Sequence, residues 1–208
     1  MTSFNDDIGK MFKIDCPVCN SKDVSSITKI VEVPFYGKLL LLTFLCNKCG
    51  YKTSEIFNLE ERQPRRYILR CETEQDLKAK VIKSGSCTIR IPELEIDIEP
   101  GPSSEGYITN VEGILRRIEP VLLILKHNYS NLEELNKIKE KIKILNKLIE
   151  GLSPFTIIIE DPLGTSSIVY EKNLVVEDLT DQEIDELRKG NIFFIDIEND
   201  EGQDKKDD

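Results

Sequence analysis

Six cysteines stand at positions 16, 19, 46, 49, 71 and 87. The first four, in DCPVCN and LCNKCG, spell C-x2-C-x26-C-x2-C. Tetrahedral zinc needs four thiolates at about 2.3 Å, and each C-x-x-C turn can offer two of them from one knuckle. Asn20 and Gly50 follow the two pairs, and both residue types tolerate the left-handed backbone that such knuckles often need. Cys16, Cys19, Cys46 and Cys49 therefore form the expected site for one Zn²⁺. Four protein ligands close its shell to water and substrate, so the metal is structural. An iron–sulfur cluster is the alternative occupant. Disulfide pairing is disfavoured, because the start, MTSFNDDIGKMF, lacks the basic and then apolar pattern of a secretory signal. Cys71 and Cys87 have no paired spacing and read as buried single thiols.

Little else in the chain could do chemistry. His127 is the only histidine, so a two-His-one-carboxylate iron site cannot be built. The phosphate loop G-x-x-x-x-G-K-[ST] and the local serine and cysteine nucleophile motifs are absent. The expectation is a protein that is not an enzyme. The stretch RQPRRYILR offers Arg62, Arg65, Arg66 and Arg70 to a phosphate backbone and Tyr67 to a base, so a zinc-ribbon nucleic-acid-binding factor in transcription or translation is the alternative function. Against it stands a net charge of −10, since such binding draws affinity from displaced counterions. That charge is uneven: residues 10–70 carry +5, 71–150 carry −2 and 151–208 carry −11. No run of about 18 apolar residues could span a membrane. A cytoplasmic protein is expected.

The knuckles must be held by what lies between them. ITKIVEVPFYGKLLLLTFLC reads as two strands joined at Pro34–Gly37, and YKTSEIFNL as a third. Residues 1–60 are thus a zinc ribbon, a sheet with little core to which zinc supplies much of the folding energy, about 10–16 kcal/mol in small zinc peptides. A second, mainly β domain is expected over 61–198. RRYILRC is strand-like. CTIRIPELEIDIE sets Ile89, Ile91, Leu94, Ile96 and Ile98 on one face, with Pro92 at a bend or edge. PGPSSEG is a loop. A helical hairpin is then inserted at about 109–150. Thr109 with Glu112, and Ser130 with Glu133, give capping-box patterns, Pro120 should kink or restart the first helix, and Gly151 ends the second. Lys137, Lys139, Lys141, Lys143 and Lys147 read as a solvated helix face. Strands return at PFTIIIED, SSIVYEK, LVVED and NIFFIDIE. The polar tail 199–208 should be disordered.

Four stretches in order, CPVC with CNKCGYKTSEI, DLKAKVIKSGSCTIRIPELEIDIEPG, ITNVEGIL and PFTIIIEDPLGTSSIV, resemble the ZPR-type zinc-finger proteins, in the single-module form associated with archaea. The resemblance spans residues 16 to about 169. It implies a mainly β fold with inserted α: a zinc ribbon followed by a double-stranded β-helix domain carrying the helical hairpin. It also implies a protein-interaction role, with translation elongation factor 1A as the partner whose folding is assisted. Candidate partner-binding residues are Phe35, Tyr36 and Tyr51 of the ribbon and Asp161, Pro162 and Gly164 of the EDPLGTSS turn. The sequence departs from the family pattern at Asn20, where glycine is usual, at Gly85 and Cys87, where aspartate and alanine are commoner, and at Thr165, where asparagine is typical.

Overall fold

Between the knuckles the chain forms β1 (Val24–Val33) and β2 (Gly37–Cys46), and β3 (Lys52–Asn58) follows the second knuckle. These three antiparallel strands make one sheet in the order β1-β2-β3. The structure is a computed structural model that describes residues 15–101, 103–129 and 131–187. Ser130, the NIFFIDIE stretch and the tail 199–208 lie outside the described residues.

The second domain has two sheets. β4 (Arg65–Cys71), β6 (Thr88–Ile91), β7 (Ile96–Ile98), β9 (Phe155–Asp161) and β11 (Leu174–Asp178) assemble in the order β11-β4-β9-β6-β7. β5 (Lys80–Lys83), β8 (Tyr107–Asn110) and β10 (Ser167–Val169) form the order β10-β5-β8. Among the described residues every strand pairing in these sheets is antiparallel. Alternation along the strands drives this assembly. Tyr67, Leu69 and Cys71 of β4 point inward with Phe155, Ile157 and Ile159 of β9, and Val81 and Ile168 of the smaller sheet join the same core. Pro92 marks a sharper feature than a bend. A 3-10 turn at Pro92–Leu94, closed by Glu95 at φ 49°, folds β7 back on β6 so that Ile91 faces Ile96 and Ile89 faces Ile98.

The insertion is a helical hairpin of α1 (Val111–Asn128) and α2 (Leu132–Ile149). Its caps sit one residue later than the capping-box reading: Asn110 Oδ1 accepts from Gly113 N–H, and Asn131 Oδ1 from Glu133 N–H. An asparagine caps as well as a threonine, and here Thr109 is still in β8, paired with Val81. α1 runs unbroken through Pro120, whose exposed position lets water take the carbonyl that its missing N–H leaves free. Ile114, Leu115 and Ile118 of α1, with Leu145 and Leu148 of α2, cover the core. Each such burial is worth about 1.5–3 kcal/mol. A further short helix, α3 (Asp181–Glu186), begins at a Thr180–Glu183 capping box that the sequence reading passed over.

The ribbon is fastened to the second domain through a shared apolar cluster. Val33, Tyr36, Leu39 and Ile56 of the ribbon pack on Ile82 of β5. Three hydrogen bonds cross the same joint. Gly106 N–H donates to Ser54 O at 2.8 Å, Gly85 N–H to Glu55 Oε1 at 2.8 Å, and Tyr36 O–H to the Thr165 carbonyl at 2.5 Å.

Candidate metal centre and docking surface

Both knuckles are built by the same short-range chemistry. In the first, Asn20 N–H donates to Cys16 O at 2.8 Å and Cys16 N–H to Ser21 O at 2.9 Å, with Asn20 at φ 53°. In the second, Gly50 N–H donates to Cys46 O at 3.0 Å and Cys46 N–H to Tyr51 O at 2.8 Å, with Gly50 at φ 75°. Asn20 thus adopts the left-handed turn that glycine makes in the other knuckle. Asn47 binds the two together, donating from its backbone to Asp23 O at 3.0 Å and from its amide to Asp23 Oδ1 at 2.9 Å.

The result brings the sulfurs of Cys16, Cys19, Cys46 and Cys49 within 4.8 Å of one another. Cys16 and Cys49 are 3.6 Å apart, as are Cys19 and Cys46. A regular tetrahedron of thiolates about 2.3 Å from zinc has edges of about 3.8 Å, so the four converge on one ion. All four are free thiols rather than disulfides. Backbone N–H groups of Cys49 and then Lys48, aimed at the Cys46 sulfur, lower its pKa to about 7, which favours the thiolate that a metal requires. Phe44 and Tyr51 meet edge to face, centroids 6.3 Å apart, beside the site. The four cysteines are positioned to bind one zinc ion, and with four protein ligands that ion has no open position. This is the only such group of metal-ligating side chains among the described residues. Cys71 and Cys87 are buried, and desolvation pushes each thiol up to about 12. They are packing residues.

The six candidate contact residues divide. Phe35 is 95% exposed at the β1–β2 turn. Tyr51 is half-buried and lines a small apolar cleft with Pro17, Leu42 and Phe57. The other four lie inside. Tyr36 is buried under the Arg62 guanidinium, 4.1 Å from the ring centroid, and Arg62 also donates to its carbonyl. Burial drives the Tyr36 hydroxyl pKa upward. Asp161 is fully buried and serves as an acceptor hub: Oδ1 takes Ser86 O–H at 2.8 Å and Leu163 N–H at 2.9 Å, and Oδ2 takes Ser84 O–H at 2.9 Å and Ser166 N–H at 2.5 Å. Pro162 and Gly164 are buried with it. A Cβ on Gly164 would come within 2.6 Å of Gln63 O, because this turn is pressed against the segment joining the ribbon to β4. The EDPLGTSS turn is therefore part of the joint, and of these six only Phe35 and Tyr51 offer accessible surface. The joint itself escaped the sequence reading. Its one signal was the clustering of small polar residues in KSGSC and GTSS, which the structure brings together on Asp161.

The arginine-rich stretch is also internally engaged. Arg65 pairs with Asp178 at 3.0 Å, Arg66 with Glu160 at 2.6 Å and Glu183 at 2.8 Å, and Arg70 with Glu93 at 2.8 Å. Arg62 pairs with Glu60, and Tyr67 is buried. On α2, Lys137, Lys141 and Lys143 pair with Glu133, Glu95 and Glu140. No helix among the described residues is long and apolar enough to cross a membrane.

Comparison with known proteins matches both halves. Residues 10–64 match the ZPR1 zinc-finger domain, and residues 75–188 match the ZPR1 jelly-roll domain. The two-sheet domain with its helical hairpin is thus a jelly roll. A ZPR1-like protein of Methanocaldococcus jannaschii is 39% identical over 89% of this chain and 93% of its own length. One from Pyrococcus horikoshii is 40% identical over 87% of this chain and 82% of its own. The zinc finger chaperone zpr1 of Schizosaccharomyces pombe is 27% identical over 74% of this chain, which covers 35% of that protein.

Proposed function

The chain belongs to the ZPR1 family of zinc-finger proteins, and on that premise we propose that it is a zinc-stapled protein-binding module that binds translation elongation factor 1A and assists its folding. The chaperone name of the fission-yeast relative, which aligns with about three quarters of this chain, carries the reading. The site chemistry is in keeping with it. A four-thiolate shell leaves zinc no position for substrate, the two remaining thiols are buried with raised pKa values, and His127 is an exposed residue in the last turn of α1. The protein acts by contact and not as an enzyme, in the cytosol where the elongation factor works.

The test is refolding of denatured elongation factor 1A with the zinc-loaded chain. The native yield should rise above that with a Cys46→Ser variant, which loses a ligand, and the native factor should be recovered by the immobilised chain. Zinc-loaded chain that neither raises the yield nor retains the factor ends the proposal. Against the nucleic-acid alternative, Arg62, Arg65, Arg66 and Arg70 each pair with a carboxylate and Tyr67 is buried. Absence of RNA or DNA binding at low salt is the expected result.

A further inference from the structure

The four knuckle cysteines are not equivalent. Cys16 and Cys46 are fully buried, Cys19 is half-buried, and Cys49 is exposed. Cys16, Cys46 and the partly buried Cys19 pack in one cluster with Phe44, Val24 and Tyr51, and Cys49 stands outside it. Its neighbours leave it open. Asn47, Lys48 and Gly50 are exposed, and a Cβ built on Gly50 would meet nothing within 4 Å. Among the described residues, Cys49 is therefore the one ligand that a solute reaches without moving the sheet or the first knuckle.

The sulfurs also stand in a particular pairing. Cys49 Sγ lies 3.6 Å from Cys16 Sγ, and Cys19 Sγ lies 3.6 Å from Cys46 Sγ. Each pair links one knuckle to the other, at roughly 1.5 Å beyond the length of a disulfide bond. Cys46, the partner within Cys49's own knuckle, has its sulfur held by the backbone N–H groups of Cys49 and Lys48. A thiol that ligates a metal is deprotonated outright, and the thiolate is the form that oxidants attack.

We propose that Cys49 is a redox modification site, where a hydroperoxide converts the zinc-stapled knuckles to a Cys16–Cys49 disulfide and so frees the metal. In the first step the Cys49 thiolate attacks one peroxide oxygen. The O–O bond breaks, an S–O bond forms, and hydroxide leaves. In the second the Cys16 thiolate attacks the Cys49 sulfur, an S–S bond forms, and a second hydroxide leaves. The two sulfurs give up two electrons in all, and the peroxide takes both. Cys19 and Cys46 then remain as two ligands where a structural site needs four. The bridge runs between the knuckles, so it joins the same two segments that the metal joined, and a dithiol reductant returns the site to its zinc-binding form. Transient disulfides of this kind are the ones a reducing compartment permits. The inference concerns the knuckles alone and does not depend on which partner the chain binds.

The test treats the zinc-loaded full chain with hydrogen peroxide beside a chromogenic chelator, and maps the cysteines by mass spectrometry. Zinc release should keep step with formation of the Cys16–Cys49 bridge, while the buried Cys71 and Cys87 stay reduced. With dimedone present, the trapped sulfenic acid should sit at Cys49. Dithiothreitol followed by zinc should restore the metal content. Cys49→His exchanges the exposed thiolate for another zinc ligand, and should slow release at least about tenfold because the accessible sulfur is gone. A first bridge at Cys46–Cys49 or Cys16–Cys19 overturns the proposal, as does a sulfenic acid trapped at another ligand. So does zinc that stays bound under peroxide that fully oxidises free cysteine. These mappings use the parent chain, so they decide the matter even if Cys49→His fails to hold zinc.

Discussion

At Asp76, a buried carboxylate at the head of the 3-10 turn Asp76–Lys78, Oδ2 accepts from Glu72 N–H, Thr73 N–H and Thr73 O–H at 2.9, 2.9 and 3.0 Å, and Oδ1 accepts from Tyr170 O–H at 2.7 Å. Burial opposes the charge, but these donors outweigh it and hold the carboxyl below its ordinary value. A depressed carboxylate pKa contributes stability above the unfolded value and loses it as pH falls through the folded one. Asp76→Asn should therefore cost about 1–2 kcal/mol at neutral pH. In urea titrations the gap to the parent should hold constant above about pH 5 and close below about pH 4. A gap that does not change with pH would assign the cost to packing alone. The same logic of donors around an acceptor governs Asp161, where four donors converge on one fully buried side chain. Neither hub was legible beforehand. A carboxylate in EQDLK or IEDPLG has the same sequence signature whether it faces water or four donors.

Among the elements, α1 carries a proline in its interior. Pro120 lies in its interior and exposed, so the Arg116 carbonyl has no helical donor. Pro120→Ala restores that bond without touching the buried face, and should raise unfolding stability by about 2–3 kcal/mol, read as a higher urea midpoint at unchanged slope. No gain would mean that the helix already accommodates the proline without cost. The periodic elements were readable because burial repeats at 3.6 or 2 residues: the hairpin from Leu135, Ile138, Ile142 and Leu145, the ribbon strands from their β-branched alternation. Some short elements without that repeat were not. β8 and α3 have four and six residues, too few for a pattern to rise above its neighbours.

At the scale of the molecule, stability depends on how the zinc ribbon and the jelly roll are joined. Gly106 sits where a Cβ would lie 2.6 Å from Glu55 Oε1 and 2.7 Å from Ile56 N. Gly106→Ala should push the ribbon off the second domain at a cost of about 1–3 kcal/mol. Zinc content should stay at one ion per chain, while calorimetry resolves two transitions in place of one. A single transition at the parent temperature would show that the joint yields without loss. Chelation tests the other half of the coupling. Removing zinc should unfold the ribbon sheet, whose own buried clusters are small, and leave the jelly roll folded on its larger core. Loss of sheet signal confined to the ribbon is the expected reading, and loss throughout would make the ribbon essential to the second domain.

By itself the sequence determined the zinc ligands and the order of the main elements, because knuckle spacing and hydrophobic period are local properties of the chain. Only the tertiary structure decided which polar residues are surface. Tyr36, Asp161, Pro162 and Gly164 went to a buried joint, and Arg62, Arg65, Arg66 and Arg70 to ion pairs. Phe35 was left exposed at the β1–β2 turn. Such outcomes depend on partners up to 129 residues away, as between Tyr36 and Thr165, and on which strand a sheet leaves outermost, and neither is written in any local stretch.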